Sequence, residues 1–374
     1  MLLLRKNSGR GMERGCVTYS VLFIAGILAA GIFTPGFFSL SLLLAILLAL
    51  CIATKRNSTL FLVLSHSAIF IAGINAFTLA GRENLLPQGN LKKLVINQAG
   101  KAQHKVSGYL YRFVPEEEAH ATLSALTIGT KDEIGANLKK SYSKAGAMHV
   151  LALSGLHVGI IFSIMDKLLS PMLLLPGGNV FRMMVSILIL AAYIIISGCS
   201  PSVIRAGTMI VIYKMGAFKC RSISNWDSIA ISAIAIGVIA PMQVGSIGFQ
   251  LSYAAVIGIV ALYPACRSAF RQIFRCNGTY GTIICRIAFF IWESISISIC
   301  CQIATLPLLI FYFGESAQYF ILTNLIAVPA VTCILHLFAA SLLLQWLPFA
   351  NDWITHCLNY SIDFLNNYIC FISN

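Results

Sequence analysis

VTYSVLFIAGILAAGIF, residues 17–33, runs for seventeen positions without a charged side chain or a proline. A helix needs about 20 mostly apolar residues to cross the hydrocarbon layer of a bilayer, so a run this clean reads as a membrane span. It passes after a short break into a second apolar run and offers no clear small-residue cleavage site. It therefore reads as a first span rather than a cleaved signal. Further apolar runs fall near 37–54, 60–80, 147–165, 180–198, 203–219, 226–240, 249–265, 283–298, 299–313, 319–346 and 353–371. Several are marginal in length, leaving room for two to be re-entrant or to merge. Over all 374 residues, 58% are apolar and 10% charged, with a mean hydropathy of +0.84. Soluble domains carry about 25% charged residues. The expected fold is an all-α polytopic membrane protein with roughly ten to twelve transmembrane helices, some broken or re-entrant.

Short loops rich in lysine and arginine orient the spans. Arg5, Lys6, Arg10 and Arg14 precede the first run, and Lys55 and Arg56 follow the second. Lys214, Lys219 and Arg221 close the sixth, while Arg267, Arg271, Arg275 and Arg286 surround the loop after the eighth. With twelve crossings all four clusters share one side, which places both termini in the cytoplasm. Much of the net charge of +13 is then accounted for by topology. Charge alone is thus a weak pointer to nucleic acid.

Residues 1–80 are expected to form leading membrane helices, 81–146 an extracytoplasmic amphipathic segment, and 147–374 the main membrane core. In the middle segment, LKKLVINQAGKAQHKVSGYLYRF (91–113) sets Leu91, Leu94 and Val95 between lysines, as a helix lying on the membrane surface would. EEEAHATLSALTIGTKDEIGANLKKSYSKAG (116–146) reads as two short amphipathic helices broken at Gly129. The acidic run at 116–118 suits a helix N-terminus, and Lys139, Lys140 and Lys144 suit the end of the next. Ordinary capping and a basic rim for an anionic polymer both account for these charges. The twelve cysteines mostly lie in apolar runs without ligand spacing, and the adjacent pair Cys300 and Cys301 makes a poor metal grip. Small buried hydrophobes are the first reading for them, with a redox or metal role as the alternative.

Several polar residues break the membrane rule. In HVLALSGLHVGI (149–160), Gly155 and Gly159 share a helix face suited to close packing. Ser154 and His157 form a polar strip opposite them. His149 lies eight residues from His157, about 80° around a helix, which does not make a two-histidine clamp. His157 then either bonds a neighbouring helix or lines a pathway. In CSPSVIRAGTMIVIYK (199–214), Pro201 opens a helix with Ser200 as its cap, and Arg205 follows one turn in. An arginine at membrane depth pairs, snorkels or meets an anionic substrate. Glu293 and Glu315 are its candidate ion-pair partners.

PMQVGSIGFQLSYAAVIGI (241–259), with Gln250, reads as an irregular start to a span. Gln302 with Thr305, and Asn324 before Pro329, repeat the pattern of a polar residue near a span break. Irregular backbone survives in a membrane only where protein or a water-filled cavity satisfies it. The chain has no HExxH, no P-loop and no GxSxG motif, and Ser154 with His157 has no carboxylate nearby in sequence. No enzymatic activity, metal or cofactor is expected.

The stretches AGAMHVLALSGLHVGI (145–160), CSPSVIRAGTMIVIY (199–213), GFQLSYAAVIGI (248–259), QIATLPLLIFYFG (302–314) and FILTNLIAVPA (320–330) resemble, in this order, the signatures of the ComEC-type competence channel family. The resemblance is clear over about 120–330, with 17–80 similar to its leading helices. It implies an inner-membrane channel that conducts single-stranded DNA into the cytoplasm during natural transformation. It assigns residues 147–374 to a competence-type channel core, with His157, Arg205 and Gln250 in that core. Relatives of this kind carry an external OB-like domain and a C-terminal metallo-β-lactamase-like domain. Here 81–120 is too short for the first, and the chain ends after an apolar run, so the core alone is expected. Implied partners are single-stranded DNA, membrane lipid, a DNA-delivery protein, a cytoplasmic translocation motor and a separate nuclease. A secondary transporter of another anionic solute, a non-conducting scaffold and a truncated relative remain alternatives.

Overall fold

The computed structural model describes residues 2–32, 43–44, 46–48, 50–51, 58–83, 90–218, 224–273, 279–313 and 320–373. Most of the run expected over 37–54, and Glu315, lie outside them. No strand occurs among the described residues. The helices are α1 (Leu2–Ile32), α2 (Ser58–Glu83), α3 (Asn90–Leu110), α4 (Glu117–Ile128), α5 (Ala136–Lys144), α6 (Met148–Leu151), α7 (Gly155–Leu168), α8 (Gly178–Ile196), α9 (Pro201–Phe218), α10 (Asn225–Ile239), α11 (Ile247–Ile273), α12 (Thr279–Phe313), α13 (Phe320–Leu344) and α14 (Pro348–Ser373). Among the described residues, five segments are long and apolar enough to cross a membrane: Phe61–Ala80, Gly178–Ile196, Ile247–Phe270, Ala288–Phe313 and Leu322–Leu344. Cys16–Gly31 and Asn225–Ile239 are shorter apolar helices. The helical membrane class is as expected.

Three expectations about breaks change. The runs 283–298 and 299–313 are one helix, α12. Helices α12 and α13 also continue through Pro307 and Pro329 rather than breaking beside them. A proline deletes one backbone donor, a loss that a helix in an apolar setting tolerates without ending; nearby, Thr305 Oγ1 donates to the Cys301 carbonyl at 2.9 Å. The third change is in 147–165, which is not one span: α6 ends at Leu151 and α7 begins at Gly155.

The chain folds as two compact units, residues 1–93 with 208–253 and residues 94–207 with 254–374. The first is built on α1, α2 and α10. Its tightest contact needs two glycines. A Cβ at Gly26 would lie 2.0 Å from the Phe70 carbonyl oxygen, and one at Gly73 would lie 2.1 Å from that of Phe23. Backbones at that separation admit no side chain, so the two helices touch main chain to main chain. Ser224 caps α10, accepting the Asp227 N–H at 3.1 Å.

The second unit is organised around α4. The first of the two short helices read on either side of Gly129 has no exposed face over this stretch: every residue from Ala119 to Ile128 is buried. Leu123, Ala125 and Leu126 join Leu138 and Tyr142 of α5, Val331, Ile334 and Leu335 of α13, and Leu358, Ile362, Leu365 and Ile369 of α14 in one core. Gly129 ends α4 in the left-handed region at φ 81°, and Glu117 and Glu118 occupy its first turn. Its terminal carbonyls are taken up: Tyr193 Oη donates to Thr127 O at 2.9 Å and Gln103 Nε2 to Ile128 O at 2.8 Å.

On the buried side, Tyr142 Oη donates to Asn366 Oδ1 at 2.9 Å, and Asn366 Nδ2 donates to Thr122 Oγ1 at 3.1 Å. Burial pushes the Tyr142 hydroxyl far above its ordinary range, so it remains a donor. Helix α14 sets Phe349, Trp353, Tyr360, Phe364 and Phe371 on the stripe opposite its core face, all exposed.

Asn366→Leu strands the Tyr142 hydroxyl in this core and should lower stability by about 1–3 kcal/mol. Adding Tyr142→Phe should recover part of the loss. Thermal unfolding of the purified chain in detergent measures both.

Candidate functional site

The break in 145–160 is built by local hydrogen bonding. After α5, Gly146 turns the chain at φ 70°, and the Thr323 hydroxyl of α13 donates to the Ala145 carbonyl at 2.9 Å. One helical turn follows as α6, then Ala152 is extended at ψ 127° and Ser154 at φ −113°, ψ 169°. Serine is a preferred residue at the start of a helix because its side chain satisfies a free N–H there. Ser154 and His157 form a capping box at the start of α7, with histidine where glutamate or glutamine is usual. His157 Nδ1 accepts the Ser154 N–H at 3.2 Å and lies 2.8 Å from Ser154 Oγ.

This geometry sets the tautomer. A ring nitrogen that accepts a backbone N–H carries no proton, so the proton of the neutral ring is on Nε2. Nε2 is buried and finds no partner among the described residues. His157 as a whole residue is 2% exposed.

Three of the quoted sequence stretches meet here. His149 Nε2 lies 3.0 Å from Asn324 Oδ1, joining 145–160 to the start of α13. Asn324 is buried and His149 is exposed. A Cβ at Gly155 would touch Ala206 Cβ at 3.6 Å, joining α7 to α9 one position beyond Arg205. Arg205 is itself buried. Helix α9 opens at Pro201, and the Val203 N–H donates to Ser200 Oγ at 3.4 Å.

The other candidates lie apart from this junction or play other parts. Among the described residues a Cβ at Gly159 would meet nothing within 4 Å, whereas one at Gly155 touches Ala206. Glu293 accepts a hydrogen bond from the Tyr263 hydroxyl. Gln250 follows a 3-10 turn at Pro241–Gln243, and its Nε2 is 3.4 Å from the Gly245 carbonyl. Gln302 is partly buried on α12, and its Oε1 has no partner among the described residues.

Sequence reading missed two polar clusters. Arg182 Nη2 lies 2.6 Å from Asp166 Oδ2 and 3.0 Å from its carbonyl, and Ser186 Oγ donates to Asp166 Oδ1 at 3.3 Å, which clasps α7 to α8. Opposite charges flanking a short connection between two apolar helices were the available signal. In the second cluster, His120 Nδ1 is 3.3 Å from Glu133 Oε2, and its Nε2 is 3.0 Å from the Ser107 carbonyl and 3.4 Å from Ser124 Oγ. Serine, histidine and carboxylate also line up in hydrolytic triads. Here Ser124 is 0% exposed and the imidazole nitrogen is better placed on a carbonyl, so the cluster ties α3, α4 and the following loop together.

Outside it, Lys139, Lys140 and Lys144 are exposed along α5. Burial, with Lys139 nearby, holds the Lys131 ammonium below the usual lysine range. Among the described residues no group of three or more His, Cys, Asp or Glu side chains is placed to hold a metal ion.

Long apolar helices together with a polar, broken junction define a multi-pass helical protein of the inner membrane. The chain matches the family model described as Competence protein over residues 126–374 and belongs to that family. It is similar to ComE operon protein 3 of Bacillus subtilis (strain 168), 29% identical over 261 residues, covering 64% of this chain and 30% of that protein. It is also similar to an uncharacterized protein of Aquifex aeolicus (strain VF5), 24% identical over 213 residues, covering 51% of this chain and 50% of that one. The chain therefore spans half or less of these relatives. No solved structure matches it.

His157→Ala removes the acceptor that closes the capping box and should cost about 1 kcal/mol. His157→Gln, which returns a side-chain acceptor to the same position, should restore most of that stability. Melting temperatures of the two purified variants in detergent test the assignment.

Proposed function

We propose that this chain is the membrane core through which a single strand of DNA reaches the cytoplasm in natural transformation. The observation that carries the reading is the family match, which spans the break at 152–154 and all five of the quoted stretches. A conducting core needs polar groups inside an apolar body that meet a sugar–phosphate chain without reading its bases. His149, Ser154, His157, Arg205 and Asn324 are such groups near the break, with Gln250 and Gln302 as further polar residues of the core. The lysines at 139, 140 and 144 form a basic rim that attracts an anionic polymer before it enters.

Residues 1–80 supply leading helices, 81–146 an extracytoplasmic element and 147–374 the conducting core. The partners proposed for this core are a DNA-delivery protein, a cytoplasmic translocation motor and a nuclease. The core performs no bond-making chemistry of its own.

The test is uptake of labelled DNA by a strain lacking only this gene, complemented at matched protein levels by wild type, His157→Ala or Arg205→Ala. Deletion should abolish cytoplasmic single strands while external DNA binding persists. Each substitution should slow import on the order of tenfold, the change given by ~1.4 kcal/mol in a barrier. Unchanged uptake on deletion would move the function to a different anionic solute or to a non-conducting scaffold. Unchanged import in both variants would remove their assigned roles.

A further inference from the structure

Helices α11 and α12 pack closely at Gly258, where a Cβ would lie 2.4 Å from Ala304 Cβ and 2.6 Å from the Cys300 carbonyl oxygen. The Tyr263 hydroxyl donates to Glu293 across the same pair of helices, and Trp292 Nε1 donates to the Cys266 carbonyl at 2.9 Å. These contacts hold two thiols together. Cys266 Sγ lies 3.9 Å from Cys300 Sγ, and both are free. Cys266 is partly exposed, whereas Cys300 is 1% exposed.

A disulfide needs its sulfurs about 2 Å apart, so bonding requires the two side chains to close the remaining distance between sulfurs already in contact. Nothing about DNA conduction requires this pairing, and a preference for small buried hydrophobes does not by itself bring two sulfurs from different helices into contact.

We propose that Cys266 and Cys300 form a reversible oxidation site, a dithiol that hydrogen peroxide converts to a disulfide stapling α11 to α12. The more exposed Cys266 sulfur attacks peroxide, the O–O bond breaks, and a sulfenic acid and one water form. The Cys300 sulfur then attacks the sulfenic sulfur, the S–O bond breaks, and its hydroxyl leaves with the Cys300 proton as a second water. The two thiols together lose two electrons and two protons, and peroxide accepts both. A reducing dithiol reverses the change by exchange. The reduced pair leaves the helices joined by side-chain packing and hydrogen bonds; the oxidised pair joins them covalently. The inference is independent of what the chain conducts.

The experiment treats the purified full-length chain in detergent with hydrogen peroxide, blocks remaining thiols with a maleimide, and maps the digested peptides by mass spectrometry. The expected product is a Cys266 peptide linked to the Cys300–Cys301 peptide, lighter by two hydrogen atoms and released by dithiothreitol. Cys266→Ser and Cys300→Ser should each abolish the link, and Cys301→Ser should keep it. Recovery of Cys266 and Cys300 from treated wild type as separate peptides, labelled or over-oxidised, would overturn the proposal. Persistence of the link in Cys300→Ser would equally overturn it, since Cys301 would then be the partner. The wild-type result stands on its own even if a variant fails to fold.

Discussion

A peptide group removed from water must have a hydrogen-bond partner, and an apolar helical protein can leave the helix only where it supplies one. That constraint shapes the break between α6 and α7. Ser154 and His157 satisfy each other across the first turn of α7, and Thr323 takes up the Ala145 carbonyl from α13. The same few bonds bring His149 to Asn324, and α7 then packs onto α9 beside Arg205. Polar side chains that look scattered along the chain are therefore gathered where the backbone needs them. A group serving the backbone on one side, as His157 Nδ1 does, still presents its other nitrogen elsewhere.

Helix α4 illustrates the opposite solution. It keeps its backbone helical and buries Thr122, Ser124 and Thr127 with it, each hydroxyl bonded within the helix or to a neighbour. Its C-terminal carbonyls go to Tyr193 and Gln103, and its flank is tied by Tyr142 and Asn366. Polar residues in that stretch mark contact with other helices rather than contact with water. Because α5, α13 and α14 all pack around it, the segment between the leading helices and the main core is itself a core element.

Much of the local architecture was legible in the residues. The end of α4 at Gly129, the opening of α9 at Pro201 behind Ser200, and the irregular start of α11 near Pro241 follow from backbone preferences that act over three or four positions. Other features resisted such reading. Pro307 and Pro329 resemble helix stops, yet both helices continue, since a missing donor in an apolar helix is tolerated when neighbours restore the lost bonds. The spacing of Gly155 and Gly159 implied a shared packing face, but among the described residues only Gly155 meets another helix. A face is a property of one helix, whereas a contact requires two.

The sequence by itself determined the helical membrane class, the caps and the ordered stretches that carry the family match, because hydropathy and short-range hydrogen bonding are local quantities. Tertiary structure alone decided that 147–165 divides, that α4 is buried, that Asp166 meets Arg182 and that Cys266 faces Cys300. Each of those depends on which helices become neighbours. That choice is made by packing and polar satisfaction summed over the whole unit, and no window of residues along the chain contains it.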